Sequence, residues 1–344
     1  KLNWRNEMSK WSVREPGIAV IRDGKEWLVP DSGEVRVTII NYDLLIKHHA
    51  KLTAGEWDLM ILDEVQAIKS KTAKRTKSLI GHGRGKSQVK GIPAKKTLAL
   101  SGTPIPNRPI EIYNVAHLLD PYTFPNYYAF GNRYCDGKPG WGGSRDFSGA
   151  SNLGELQTKL RKSCMYRVLK EQVLDDLPDK THQIIELPPT EDLKRELDEE
   201  KRAYRLHSET RAKLKKLREA ATEAGGKEKH AEEVDRLKDG LSVAFAEMSK
   251  VRAKIAELKA PFVIEHLLSL IEAEPDRKLV VFCWHKSLLG SVLEALDQAK
   301  IKAVSIHGGT PMDDRQKAVD DFQKGDAMVF VGNIIAAGTG ITLT

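Results

Sequence analysis

Trp57-Asp58-Leu59-Met60-Ile61-Leu62-Asp63-Glu64-Val65-Gln66 decides how this chain is read. Apolar side chains fill nearly every position up to Leu62, the pattern of a buried strand. Two adjacent carboxylates, Asp63 and Glu64, then close the run. In open α/β sheets ligands bind beyond the carboxyl ends of the strands, so these acids stand where chemistry is done. One carboxylate there can hold Mg2+ beside nucleotide phosphates, and its neighbour can orient or deprotonate the water that attacks them. Strand ends are often acidic for no such reason, so the surrounding sequence has to decide.

Working outward, Val35–Ile40 is a β-branched run ending at Asn41-Tyr42-Asp43, where a helical pattern begins. Thr97–Leu100 is another strand candidate, closed by the turn set Ser101-Gly102-Thr103-Pro104. Ala73–Ile80, between them, reads as helix. Strands separated by helical segments predict a parallel sheet with crossovers. Tyr122–Ser151, rich in Gly, Pro and aromatics, reads as irregular, and Leu153–Leu177 returns to helical spacing. Glu191–Lys259, dominated by Glu, Lys, Arg and Ala and broken at Gly225-Gly226, predicts a long polar helical hairpin. A second α/β block follows, with strands at 278–283, 302–306 and 328–331 and helices at 288–299 and 313–323.

The composition suits a soluble chain of two domains: 344 residues, 40% hydrophobic and 30% charged. No apolar run reaches the ~18 residues of a membrane span, and the first residues lack the apolar core of a signal peptide. The three cysteines (Cys135, Cys164, Cys283) lie far apart with no C-x-x-C spacing, so neither a zinc site nor a disulfide framework is expected. An intracellular, reducing compartment fits these features. The net charge of +7 is unevenly spread. Lys69, Lys71, Lys74, Arg75, Lys77, Arg84, Lys86, Lys90, Lys95 and Lys96 all fall between Val65 and Leu100, with no Asp or Glu among them. Such a stretch is either a solvated face or a surface for a polyanion.

Gly85-Lys86-Ser87 invites a different placement of the nucleotide. A phosphate-binding loop reads G-x-x-x-x-G-K-[ST], which requires glycine at position 80, and that residue is Ile80. Such a loop also leaves a strand and enters a helix, whereas here a helical pattern precedes it and Pro93 follows. The reading is a basic loop.

The order of the remaining motifs is more specific. Asp63-Glu64-Val65-Gln66 is followed by Ser101-Gly102-Thr103-Pro104 and, across the helical segment, by Ala336-Ala337-Gly338-Thr339-Gly340-Ile341-Thr342. In that order, and with Ile105-Pro-Asn107, Glu111-Ile-Tyr113 and Leu169-Lys170 to Leu177-Pro178, the chain resembles the Swi/Snf-related branch of superfamily-two helicases, which are DNA-dependent ATPases. Phe124–Asp136 and Phe147–Leu156 are similar to the annealing helicases of the HARP type, which rewind or remodel forked and gapped duplexes.

The resemblance implies an α/β fold of two RecA-like lobes, both incomplete. The first, with a helical extension, would span 1–178, followed by a linker at 179–190, a helical protrusion at 191–260 and the second lobe at 261–344. It implies ATP and Mg2+, with Asp63 as the metal ligand and Glu64 activating water. Gln66, Ser101, Gly102, Thr103, Gly338 and Gly340 would couple the nucleotide to the rest of the machine. Lys74, Arg75 and Lys77 from the basic stretch are candidate DNA contacts, joined by Asn107, Arg167, His307, Thr339 and Thr342. Two positions differ from the family pattern: Val168 follows Arg167 where a second arginine is usual, and Gln66 stands where histidine is common. The partner implied is double-stranded or forked DNA, bound by a monomer in a nucleus or nucleoid, in repair or fork processing.

Neither a phosphate-binding loop nor the family's final arginine motif occurs in these 344 residues, so the segment alone is expected to hydrolyse little ATP. Two alternatives stand beside the translocase. One is a non-catalytic DNA- or protein-binding remnant; the other is a strand-separating helicase of the same superfamily.

Overall fold

The computed structural model describes all residues except 14–16, 26, 28–34, 84, 86–87, 141–143, 170–171, 174–180, 189, 224–226, 339–340, 342 and 344. The chain divides into two compact units, made essentially of Asn3–Lys180 and Thr181–Thr344.

In the first unit helix α1 (Leu2–Trp11) precedes strands β1 (Gly17–Val20) and β2 (Val35–Ile39), which pair in parallel. A one-turn helix α2 (His49–Leu52) leads to β3 (Trp57–Leu62), the strand of the deciding stretch. β3 pairs in parallel with β4 (Ala94–Ala99), Leu59 facing Lys96 and Leu62 facing Ala99. Their crossover contains a 3-10 turn, Val65–Ile68, and helix α3 (Lys74–Ile80). Val65, Ile68 and Leu79 from this crossover pack with Leu62, and with Ile112, Tyr113 and Val115 from the 3-10 turn Pro109–Ile112 and α4 (Tyr113–Leu119). Burial is one-sided: Leu59, Ile61 and Leu98 are exposed. Among the described residues, the buried strand expected from the apolar run is thus covered on one face.

Tyr122–Ser151 is more ordered than its composition implies. Asn126 caps a helix, α5 (Tyr127–Tyr134), its side chain accepting from the N–H groups of Tyr128 and Ala129. Phe130 and Tyr134 are buried from it. Gly131, which obscures the helical pattern, is there for packing, since a Cβ on it would lie 2.5 Å from the Phe147 ring. A two-residue antiparallel pair, β5 (Lys138–Pro139) and β6 (Arg145–Asp146), follows. Helix α6 (Leu153–Ser163) is shorter than the spacing to Leu177 suggests, ending where both Cys164 N–H and Met165 N–H bond the Leu160 carbonyl.

The second unit opens with two long helices, α7 (Glu191–Glu223) and α8 (Lys227–Ala273). Their outer faces carry i,i+3 ion pairs such as Lys194–Glu191 and Lys238–Asp235, and Arg252 of α8 reaches Glu200 of α7 at 2.6 Å. α8 runs through Pro261 to Ala273, so the hairpin's second arm and the first helix on the following sheet are one element. That sheet is parallel, in the order β7 (Leu279–Cys283), β9 (Val329–Asn333), β8 (Ala303–Ile306). α9 (Lys286–Gln298) links β7 to β8, and α10 (Met312–Lys324) links β8 to β9. Val329, Phe330 and Val331 of the central strand are fully buried. One set packs with Leu289, Val292 and Leu296 of α9 and Leu267 of α8; Phe330 packs with Ile306 and with Val319 and Phe322 of α10. Strand, helix and strand thus recur as an α/β fold in both units.

Candidate functional site

The site is built at the carboxyl ends of β3 and β4. The ladder continues one step past both strands: Leu100 N–H donates to Leu62 C=O at 2.8 Å, and Val65 N–H to Leu100 C=O at 3.0 Å. Between those bonds the chain reverses at Glu64, whose φ of 47° and ψ of 53° are left-handed. A non-glycine residue there costs about 1–3 kcal/mol and persists only where its surroundings hold it. The holding bonds are visible. Glu64 N–H donates to Asp63 Oδ1 at 3.0 Å, and the Tyr42 hydroxyl donates to Asp63 C=O at 2.8 Å. Burial, followed by the nearby charges of Asp63 and Glu64, pushes the Tyr42 phenol up, so it remains a donor.

Side chains then link the two strand ends. Gln66 Nε2 donates to Glu64 Oε2 at 2.5 Å, Ser101 Oγ donates to Gln66 Oε1 at 2.7 Å, and Thr103 N–H donates to Ser101 Oγ at 3.0 Å. The amide of Gln66 uses both of its ends, and all three bonds run donor to acceptor toward the Glu64 carboxylate. A Cβ on Gly102, inside this turn, would meet nothing within 4 Å, leaving an open approach. Asp63, Glu64, Gln66, Ser101, Gly102 and Thr103 are therefore one constellation.

Asn114 of α4, fully buried, braces it from below. Its Nδ2 donates to Ile68 C=O at 2.7 Å and Lys69 C=O at 3.1 Å, pinning the 3-10 turn that follows Glu64.

The other candidates are placed separately. Asn107 N–H bonds Glu111 Oε2 at 2.9 Å, before the 3-10 turn Pro109–Ile112. Burial would raise the Glu111 carboxyl, but the N–H groups of Asn107 and Arg108 and the Lys69 ammonium hold it below its ordinary range. Arg167 is exposed in an irregular stretch. Lys74, Arg75 and Lys77 lie on α3, and the basic stretch around them is less unopposed than the sequence suggests. Arg75 pairs with Asp43 at 3.3 Å, Lys69 with Glu111 at 3.3 Å and Lys95 with Asp58 at 2.6 Å, all acids from outside the stretch. Lys71 lies over the Tyr127 ring. Gly85, at φ 60°, sits in a loop closed by an antiparallel bridge between His82 and Val89, which leaves α3 rather than a strand; Arg84, Lys86 and Ser87 lie outside the described residues.

In the second unit His307 begins the turn after β8, its Nδ1 accepting from Gly309 N–H. Arg315 of α10, which the motif reading passes over, donates to the carbonyls of His307, Thr310 and Ala336, tying this turn to the short helix that follows β9. Gly338 ends the short helix α11 (Ile334–Ala337), where a Cβ would lie 2.4 Å from Ile334 C=O. Thr339, Gly340 and Thr342 lie outside the described residues.

Among the described residues no group of three or more His, Cys, Asp or Glu could hold a metal ion by itself. Mg2+ is usually held by one or two carboxylates with waters and substrate phosphates, not by an all-protein cage. An exposed Asp63 carboxylate beside Glu64 fits that second description. Burial pushes the Cys135 thiol up to about 11 and raises those of Cys164 and Cys283. No helix among the described residues is long and apolar enough to cross a membrane.

Paired parallel strands with crossover helices, and a carboxylate pair at one strand end hydrogen-bonded to the turn after the neighbouring strand, define the class: an α/β protein with its candidate site at the strand ends. Within it, the chain belongs to the SNF2-related domain family, whose model matches residues 2–239; the helicase conserved C-terminal domain matches 262–344. The chain is 29% identical over 350 residues to the SWI/SNF-related matrix-associated actin-dependent regulator of chromatin subfamily A-like protein 1 of Xenopus tropicalis, covering 100% of this chain and 32% of that protein. It is also 29% identical over 354 residues to the mouse DNA annealing helicase and endonuclease ZRANB3, covering 99% and 29%. The chain thus spans about a third of the length of the curated relatives it matches. A solved SWI2/SNF2 ATPase core of Sulfolobus solfataricus, in complex with dsDNA, overlaps 96% of this chain and 64% of its own at 17% identity, with a TM-score of 0.41.

Proposed function

We propose that the intact protein is an ATP-dependent translocase and remodeller of duplex DNA, akin to the annealing helicases, acting as a monomer on forked or gapped DNA in a nucleus or nucleoid. The observation that carries this is the hydrogen-bonded run from Glu64 through Gln66 to Ser101 and Thr103. It gives a strand-end carboxylate a mechanical connection to the neighbouring turn, which a merely structural acid would not need. Asp63 would hold Mg2+ together with the nucleotide, and that ion, when bound, would neutralise charge on the phosphates. Glu64, fixed by its backbone reversal and by Gln66, orients and deprotonates the attacking water. Ser101 and Thr103 carry the state of that site to surfaces that track DNA, for which Lys74, Arg75, Lys77, Asn107, Arg167 and His307 are the candidates, with Thr339 and Thr342 beside Gly338 and Gly340.

The test is DNA-stimulated phosphate release by the intact protein beside DNA binding, annealing and strand-displacement assays. Glu64→Gln is expected to abolish turnover and keep DNA binding, and the wild type is expected to anneal strands or regress forks instead of displacing a strand. A wild-type protein that binds DNA without hydrolysing ATP would instead be the non-catalytic remnant, and normal turnover in Glu64→Gln would remove the carboxylate from its role.

A further inference from the structure

Asp63 is held from far outside its own strand. Trp4, on α1 and 59 residues away in sequence, donates its indole Nε1–H to Asp63 Oδ2 at 2.7 Å. The Glu64 N–H donates to the other oxygen, Oδ1, at 3.0 Å. Each carboxylate oxygen therefore accepts one donor from the protein, and each keeps lone-pair capacity for a further partner. Two donors on two oxygens fix the rotation of the carboxylate, while the Tyr42 hydroxyl on Asp63 C=O fixes the backbone beneath it.

The chemistry of the donor matters. A lysine or arginine at this place would pair with Asp63 and repel a cation. An indole N–H is a donor only, carries no net charge and does not titrate, so it orients the carboxylate without neutralising it. Outer partners of this kind set the orientation of ligating carboxylates, and their loss costs metal affinity although they never touch the metal. We infer that Trp4 is a positioning residue for the cation-binding carboxylate of Asp63, fixing Oδ2 so that the remaining lone pairs meet a nucleotide-bound divalent cation. The inference rests on the reading of Asp63 as the Mg2+ ligand.

The experiment uses the intact protein with Mn2+ as the probe, free Mn2+ being followed by its EPR signal during titration with ADP present and absent. Trp4→Phe keeps an aromatic ring and removes the N–H. Benzothienylalanine at the same position keeps the indole shape without the donor, and serves if the Phe variant unfolds. In both, Mn2+ affinity in the ADP complex is expected to fall about tenfold, the lower end for loss of an outer partner. Affinity for metal-free ADP and the unfolding temperature are expected to stay at wild-type values. Unchanged Mn2+ affinity in the variants, beside a wild type that binds Mn2+ with ADP, overturns the inference and leaves the proposed function standing. An equal loss of metal-free ADP affinity also overturns it, because Trp4 would then act on the nucleotide or the fold. If Asp63→Asn holds Mn2+ as tightly as wild type, the reading of Asp63 falls and takes this inference with it.

Discussion

Replacing Gln66 by leucine keeps roughly the volume of the side chain and deletes both of its hydrogen bonds, which makes it the sharpest probe of the link between strand ends. The bond from Ser101 is between neutral groups at 2.7 Å, worth about 1 kcal/mol net. The bond to Glu64 has a charged acceptor, for which 1.5–3 kcal/mol is typical, but both partners are only half-buried, so about 1 kcal/mol is the reasonable figure. If these bonds hold Glu64 where it meets the attacking water, Gln66→Leu costs about 2 kcal/mol of transition-state stabilisation, roughly 30-fold in kcat. Ser101→Ala alone costs about 1 kcal/mol, roughly fivefold. Because Ser101 acts on Glu64 only through Gln66, the double variant should cost no more than Gln66→Leu, a coupling of about 1 kcal/mol. The assay is DNA-stimulated phosphate release by the intact protein at saturating ATP. Single costs that add to within about 0.5 kcal/mol would show that Ser101 and Gln66 act independently, and would refute the relay.

Four further outcomes are expected. Asn114→Ala strips two donors from the Ile68 and Lys69 carbonyls and should destabilise the first unit by about 2 kcal/mol in denaturant unfolding; a loss under about 0.5 kcal/mol would show that the turn does not depend on it. Glu155 is held at about 2 by Arg133 and Tyr134, so its contribution is complete above its unfolded value near 4.5 and disappears as pH falls through about 2; the wild-type advantage in unfolding temperature over Glu155→Gln should shrink over that window, and a constant gap would contradict it. Since Arg75 already pairs with Asp43, Lys74→Ala with Lys77→Ala should remove most of the α3 contribution to DNA binding, lowering the slope of log affinity against log salt by about 0.9 per phosphate contact, and an unchanged slope would move the DNA elsewhere. Gln66→His should work with a neutral ring and fail below about pH 6.5, where the imidazolium can no longer accept from Ser101; an acid limb of kcat identical to wild type would argue against that bond.

Much of the site was legible because its residues are neighbours in sequence or end adjacent strands. Asp63 and Glu64 needed only an apolar strand and the rule that parallel sheets bind ligands at their carboxyl ends, whereas Gln66, Ser101 and Thr103 were singled out by the resemblance of the motif order to the Swi/Snf-related family. The strands of the second unit were legible for the same reason, since Val329, Phe330 and Val331 form a continuous apolar run and are fully buried. Helix α5 was hidden by Gly131, which lowers helix propensity, and whose purpose is the Phe147 ring seen only in the folded chain. The charge balance of the basic stretch was legible only in part, because Asp43, Asp58 and Glu111 pair with Arg75, Lys95 and Lys69 from positions that local charge counting does not reach.

What the sequence hides most completely is support from a distance. Trp4, Tyr42 and Asn114 brace Asp63 and the turn after it from 59, 21 and 46 residues away, and none carries a spacing that announces the task. The left-handed backbone at Glu64 belongs with them, because a motif specifies that a glutamate follows an aspartate but not that the chain turns back between them. Strain of that kind needs ties on either side to survive. Here they are the Asp63 carboxylate on one side and the Leu100 carbonyl on the other. The same carboxylate read as the metal ligand is thus also a backbone tie, so drawing it toward a cation would alter the hold on Glu64. On the proposed roles, metal binding and the placement of the water-activating group would be joined through one side chain.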